Sequence, residues 1–162
     1  HPETVGFEKN ELYIKELLSA LKELSSKYQI VITMPNSDTE GLMIRGKIEE
    51  FGSENRNIFL VESFGMRGYL SCMKNCKMLI GNTSSAFVEA SFFPKWVINL
   101  GSRQKGRIIT PNILNSVIEK NEILNSVFNN CEIDLPTNCN VYGDGSAANN
   151  IIIQIKKLHG LE

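Results

Sequence analysis

Apolar residues recur along this chain with two alternating periods. Across residues 10–28, Leu12, Leu17, Leu18, Leu21 and Leu24 fall at helical spacing, which predicts an amphipathic helix. The run Gln29-Ile30-Val31-Ile32-Thr33-Met34 follows and stops at Pro35. Its short, continuous apolar character predicts a buried strand. The alternation then continues. Helices are predicted over residues 41–51, 67–75, 84–92, 119–129 and 146–159, and strands over 57–61, 77–81 and 96–100. Pro94 breaks the helix predicted over residues 84–92 before the last of these strands. A further short apolar stretch lies around residues 113–118.

Strands separated by single helices predict an α/β domain built on a parallel sheet with helices on both faces. Ligands bind such sheets at the carboxyl ends of the strands. The polar clusters at residues 36–38, 81–85 and 101–107 fall at those ends. No repeat, low-complexity segment or interdomain linker interrupts the pattern, so residues 1–162 read as a single domain.

Composition narrows the function. With 162 residues, 42% of them hydrophobic and 22% charged, the chain can bury a core of its own. A formal net charge of −1 gives no support for a nucleic-acid or membrane-surface partner, and no apolar run is long enough to span a bilayer. Cys72, Cys76, Cys131 and Cys139 form no CxxC pair, and His1 and His159 stand at opposite ends. This argues against a structural metal site and for reduced thiols in the cytoplasm. The chain opens on His1-Pro2-Glu3-Thr4 rather than on methionine, which reads as a cut within a longer protein.

The most informative segment is Gly81-Asn82-Thr83-Ser84-Ser85-Ala86-Phe87-Val88-Glu89. A buried strand ends in glycine, and small polar residues then open a predicted helix. Free N–H groups and the positive end of a helix dipole suit phosphate, and the hydroxyls of Thr83, Ser84 and Ser85 add donors. An ordinary helix cap has the same composition. Glu89, one turn further on, suits ribose hydroxyls better than phosphate; a solvent-facing role is the alternative. Gly101-Ser102-Arg103-Gln104-Lys105-Gly106-Arg107 brings three cations to the end of the next strand, which suits a diphosphate or a plain solvated loop. Pro35-Asn36-Ser37-Asp38 and Tyr142-Gly143-Asp144-Gly145 are turn sequences. Tyr69 is placed to stack on a base or to join the core.

Taken in order, these segments resemble the C-terminal domain of the hydrolysing UDP-N-acetylglucosamine 2-epimerases, over essentially the whole chain. The resemblance implies a Rossmann-like sheet forming the C-terminal half of a glycosyltransferase-B type fold, with UDP held mainly by this half. It implies that Thr83, Ser84 and Ser85 hold the diphosphate with the helix end, Glu89 the ribose, and Arg103 and Arg107 the diphosphate from the facing loop, with Asn82 also among the substrate-binding residues. Tyr69 falls where the family places an aromatic near uracil. His1 becomes the histidine of a His-Pro-x-Thr motif, and with Asn36 and Asp38 it faces the sugar. The implied partners are a UDP-sugar and an N-terminal domain of the same chain that carries the catalytic carboxylates, in a homo-oligomeric parent. No cofactor and no metal are implied, and this chain alone is expected to be inactive. A UDP-dependent glycosyltransferase domain and a non-catalytic nucleotide-binding module are the alternatives.

Overall fold

Helix α1 (Asn10–Leu24) forms where the apolar spacing predicts it, and turns Ile14, Leu21 and Leu24 inward along one face. A computed structural model of the chain describes residues 1–3, 7–35, 41–93, 95–135 and 141–160. After α1 come β1 (Ile30–Thr33), α2 (Gly41–Glu54), β2 (Ile58–Val61), α3 (Gly65–Asn75) and β3 (Met78–Gly81). The chain continues through β4 (Trp96–Leu100), β5 (Ile113–Ser116), α4 (Lys120–Asn130) and α5 (Ala147–Leu158). Every strand pair is parallel.

Strand β4 is the axis of the packing. Side chains alternate across a strand, so Ile98 and Leu100 join the large cluster with Ala20, Leu21 and Leu24 of α1 and Ile123, Leu124 and Val127 of α4. Val97 points the other way, to Met73 of α3 and to Phe87 and Ala90. Packing therefore covers both faces of the sheet at β4. Polar contacts fix α1 against α4: the Lys120 amide donates to the Glu16 carboxylate at 2.7 Å, and Lys120 Nζ lies 2.9 Å from Glu23.

The fold departs from the sequence reading in three places. The strands fall into two sheets, β1-β2 and β3-β4-β5. Between β1 and β3 lies a cavity of about 640 Å³, and side chains make the join: Ile30, Ile32, Met78 and Ile80 pack on the same core cluster. The apolar stretch near residue 113 is a strand, β5, because Ile113 is buried at 5% exposure beside Val97.

Residues 84–92 do not form one helix but two short 3₁₀ turns, Ser84–Ala86 and Glu89–Ser91. Serine hydroxyls compete with a helix for backbone partners, and here Ser91 Oγ donates to the Val88 carbonyl at 2.6 Å. Phe87 and Ala90, both fully buried, pin the two turns to the core. Helix α5 has no buried residue among those described, and leaves Ile151, Ile152, Ile153, Ile155 and Leu158 exposed.

Because Ile98 is fully enclosed between α1 and α4, Ile98→Ala should cost about 2–5 kcal/mol of stability. Urea unfolding of the chain, monitored by circular dichroism, measures this as a lower midpoint at unchanged slope.

Candidate functional site

Register brings the polar strand ends together. Gly81 pairs with Asn99, and Asn99 with Asn115, so the turn after β3 and the loop after β4 leave the sheet side by side. The segment His1-Pro2-Glu3 lies across both.

Asparagine side chains read the backbone of this segment at alternate residues. Asn82 accepts from the His1 nitrogen at 3.1 Å and donates to the His1 carbonyl at 3.0 Å. Asn10 accepts from the Glu3 amide at 2.9 Å and donates to the Glu3 carbonyl at 3.2 Å. Each asparagine thus pairs with an N–H and a C=O of one residue, as a neighbouring strand would.

The Glu3 side chain faces inward at 4% exposure. Its carboxylate accepts from the Ser102 amide (3.1 Å), the Ser102 hydroxyl (2.9 Å), the Arg103 amide (3.3 Å) and Asn82 Nδ2 (3.2 Å). Gly101, at φ +71°, allows the close approach: a Cβ there would meet Glu3 Oε1 at 2.6 Å. Arg103 Nη1 donates to the Pro2 carbonyl at 2.8 Å. Gln104 Nε2 donates to the Asn82 carbonyl at 2.8 Å, and its Oε1 accepts from Arg107 Nε at 2.5 Å.

Beyond Asn82, the hydroxyl of Thr83 accepts from the Ser85 amide at 3.4 Å. The Tyr69 phenol lies against Ser85 and Thr83, with the Glu89 carboxylate near enough to act on it. Burial raises the Tyr69 pKa above its ordinary 10.0. The hydrogen bond to Ser85 opposes this, Glu89 adds to it, and Thr83 opposes it.

The structure therefore gathers most of the residues that the sequence singles out. His1, Tyr69, Asn82 and Thr83 line the cavity between β1 and β3. Ser85 and Glu89 stand beside Tyr69, and Ser84 is exposed at the start of the first 3₁₀ turn. Arg103 turns its guanidinium toward the His1 segment. Arg107 lines a separate recess of about 300 Å³ with Asn99, Lys105 and Asn115. Asn36 and Asp38 lie outside the described residues. The expected helix dipole is reduced to that of a three-residue turn, so hydroxyls, amides and Arg103 are the donors on offer. Glu3, Asn10 and Gln104 join the site without a sequence signal of their own. Only their polarity marks them, and nothing in the spacing shows that all three are buried.

Among the described residues, no cluster of His, Cys, Asp or Glu can hold a metal ion, and no helix is long and apolar enough to cross a membrane. Cys72, Cys76 and Cys131 are free thiols.

A parallel α/β domain with polar loops gathered at the carboxyl ends of its strands has the architecture in which ligands bind at that edge. The sequence-family model described as UDP-N-acetylglucosamine 2-epimerase matches residues 1–156, and this chain belongs to that family. It is 38% identical over 119 residues to a GDP/UDP-N,N'-diacetylbacillosamine 2-epimerase (hydrolyzing) of Campylobacter jejuni, a match spanning 73% of this chain and 31% of that protein. It is 32% identical over 127 residues to the polysialic acid biosynthesis protein P7 of Escherichia coli, spanning 78% of this chain and 32% of that one. The chain thus spans about a third of the length of these relatives. The crystal structure of Methanocaldococcus jannaschii UDP-GlcNAc 2-epimerase in complex with UDP-GlcNAc and UDP shares the fold. Its TM-score is 0.76 at 15% identity, covering 92% of this chain and 42% of that one.

Tyr69 generates a pH prediction. A phenol whose folded pKa is raised keeps its proton longer in the native state than in the unfolded chain. Its contribution is fully present below the unfolded pKa near 10.0 and is lost as pH rises through the folded value. Tyr28, whose pKa is raised first by its hydrogen bond with Cys131, acts in the same direction. The melting temperature should therefore fall between pH 9 and 11, and less steeply in Tyr69→Phe, as measured by scanning fluorimetry across that range.

Proposed function

We propose that this chain is the UDP-holding part of a hydrolysing 2-epimerase acting on UDP-N-acetylglucosamine or a UDP-diacetamido sugar, and that the parent supplies free 2-epimerised sugar for sialic acid-like products. The observation that carries this reading is the junction of the His1 segment, the Asn82-Thr83 turn and the Arg103 loop in one hydrogen-bonded unit. The names of the Campylobacter and Escherichia relatives support the sugar class. Reduced Cys72, Cys76 and Cys131 suit the cytoplasm, where such sugars would be made.

In the proposed reaction a base removes the proton at C2 while the C1–O bond to the diphosphate breaks and C1=C2 forms. Water then adds oxygen to C1 and a proton to C2 from the opposite face, so that UDP and the epimeric sugar leave separately. Charge develops on the departing diphosphate, and donors aimed at it stabilise the transition state. Thr83, Ser84 and Ser85 offer hydroxyls there, and Arg103, anchored through one nitrogen, keeps further N–H groups for phosphate oxygens. Glu89, beside Tyr69 at the start of the second turn, accepts from the ribose hydroxyls. His1 lines the cavity with Asn82 and Thr83 and is the proton carrier of this half. The catalytic carboxylates belong to the other half of the parent. Arg107, in its separate recess, is assigned a weaker, longer-range role on the diphosphate.

The test is to incubate the full-length parent with UDP-N-acetylglucosamine and UDP-N,N'-diacetylbacillosamine and to follow free UDP and the released sugar by NMR. Release of UDP with a 2-epimerised free sugar is the expected result. No release, or release only with an acceptor sugar, sinks the reading. Glu89→Gln should weaken UDP by about 1.5–3 kcal/mol, the worth of a hydrogen bond to a charged group, while inorganic diphosphate binding is unchanged by calorimetry. The isolated chain should bind UDP weakly and release none from any UDP-sugar.

A further inference from the structure

We propose that Glu3 is a positioning residue of this reaction, whose buried carboxylate locks the His1 segment and the Arg103 loop into a single unit. The inference rests on the function proposed above.

A carboxylate at 4% exposure is tolerated only where donors replace its water. Glu3 has no ion pair among the described residues. Its donors come instead from two functional loops: Ser102 and Arg103 after β4, and Asn82 after β3. The amides of Ser102 and Arg103 form a concave anion seat behind Gly101, whose φ of +71° sets the turn. A carboxylate of this chain fills that seat, so the loop keeps its shape whether or not nucleotide is bound.

An apolar residue at position 3 would anchor the segment equally well by burial. It would not orient Asn82, which turns one amide hydrogen bond to Glu3 Oε1 and the rest of its amide to the His1 backbone. Nor would it hold the Arg103 amide while the Arg103 guanidinium grips Pro2. The geometry closes a ring from Glu3 through Arg103 to Pro2 and from Glu3 through Asn82 to His1. Thr83, Ser85 and Glu89 make none of these contacts. Loss of the carboxylate should therefore loosen His1 and the Arg103 loop together, while the contacts of Thr83, Ser85 and Glu89 to UDP stay in place.

The test compares Glu3→Gln and Glu3→Asp with wild type in the full-length parent. Glutamine keeps the shape but sets an amide against Ser102 or Asn82 donors; aspartate keeps the charge but falls one methylene short. Both should lower kcat at least tenfold, and the loosened Arg103 loop should weaken UDP by a smaller factor. In a His1→Ala background, Glu3→Gln should lower the residual rate by clearly less than it lowers the rate with His1 present, because residues that act through one another are not additive. A histidine-labelled NMR spectrum, with the His1 signal assigned by its loss in His1→Ala, should show that signal shifted or broadened in Glu3→Gln. This last arm decides the inference even if the parent releases no UDP, an outcome that would sink only the function proposed above. An unmoved His1 signal overturns the positioning role. So does a full tenfold loss in the His1→Ala background, or a lower melting temperature with kcat per folded molecule unchanged.

Discussion

Parallel pairing of β4 with both β3 and β5 is the constraint on which the site depends. It delivers Gly81 and Asn99 to the same level of the sheet, so the chain leaves both strands facing the same way. The polar residues that follow are then neighbours in space although some twenty positions apart in sequence. The alternating burial of Val97 and Ile98 into opposite cores holds this register, since a slip of one residue would exchange the two faces. The position of the Asn82 turn relative to the Arg103 loop is thus set by apolar packing several residues below.

Polar contacts finish what the sheet begins. A carboxylate, asparagines and a glutamine, all buried, replace in this corner the backbone ladder that another strand would supply. Such a network is costly if one member is unpaired and rigid if all are paired. Here Glu3, Asn10, Asn82 and Gln104 each find a partner. Nearby, Asn99 donates to Asn115 at 2.8 Å while its own buried oxygen finds no partner among the described residues.

The fold was legible where burial is periodic. Continuous apolar runs such as Trp96-Val97-Ile98-Asn99-Leu100 have one reading in a chain that alternates with helices, and β4 forms there. The stretch that became β5 is shorter and mixes Asn115 and Ser116 with its apolar residues, so only its neighbour β4 makes it a strand. The error at residues 84–92 has a local cause. The pattern has helical spacing, but the serines that invite a phosphate reading also divert the backbone into short turns. The site was legible as motifs, not as a network. His1, Asn82 and Arg103 were visible as residue types in suitable places, whereas the bond between Glu3 and Ser102 joins positions 99 apart, a separation on which no local pattern bears.

The same network bears on how the proposed site would meet a charged ligand. The Thr83 hydroxyl already accepts from the Ser85 amide, so a diphosphate drawing on that amide exchanges one hydrogen bond for another at little net gain. Affinity must then come from charge, and Arg103 is the cation tied most firmly to the site. A free arginine would lose rotamer freedom on binding, and that loss would offset part of the attraction. Arg103 has given up much of that freedom beforehand, because one nitrogen is fixed on the Pro2 carbonyl and its amide on Glu3. The remaining donors of a planar fork whose orientation is already set can meet phosphate oxygens at a smaller ordering cost. Since the anchor is the segment that carries His1, the group that would stabilise the leaving diphosphate and the group that would move the proton are fixed by one set of hydrogen bonds. In the proposed reaction, a site built this way would draw its advantage from geometry settled during folding rather than from contacts made as the ligand arrives.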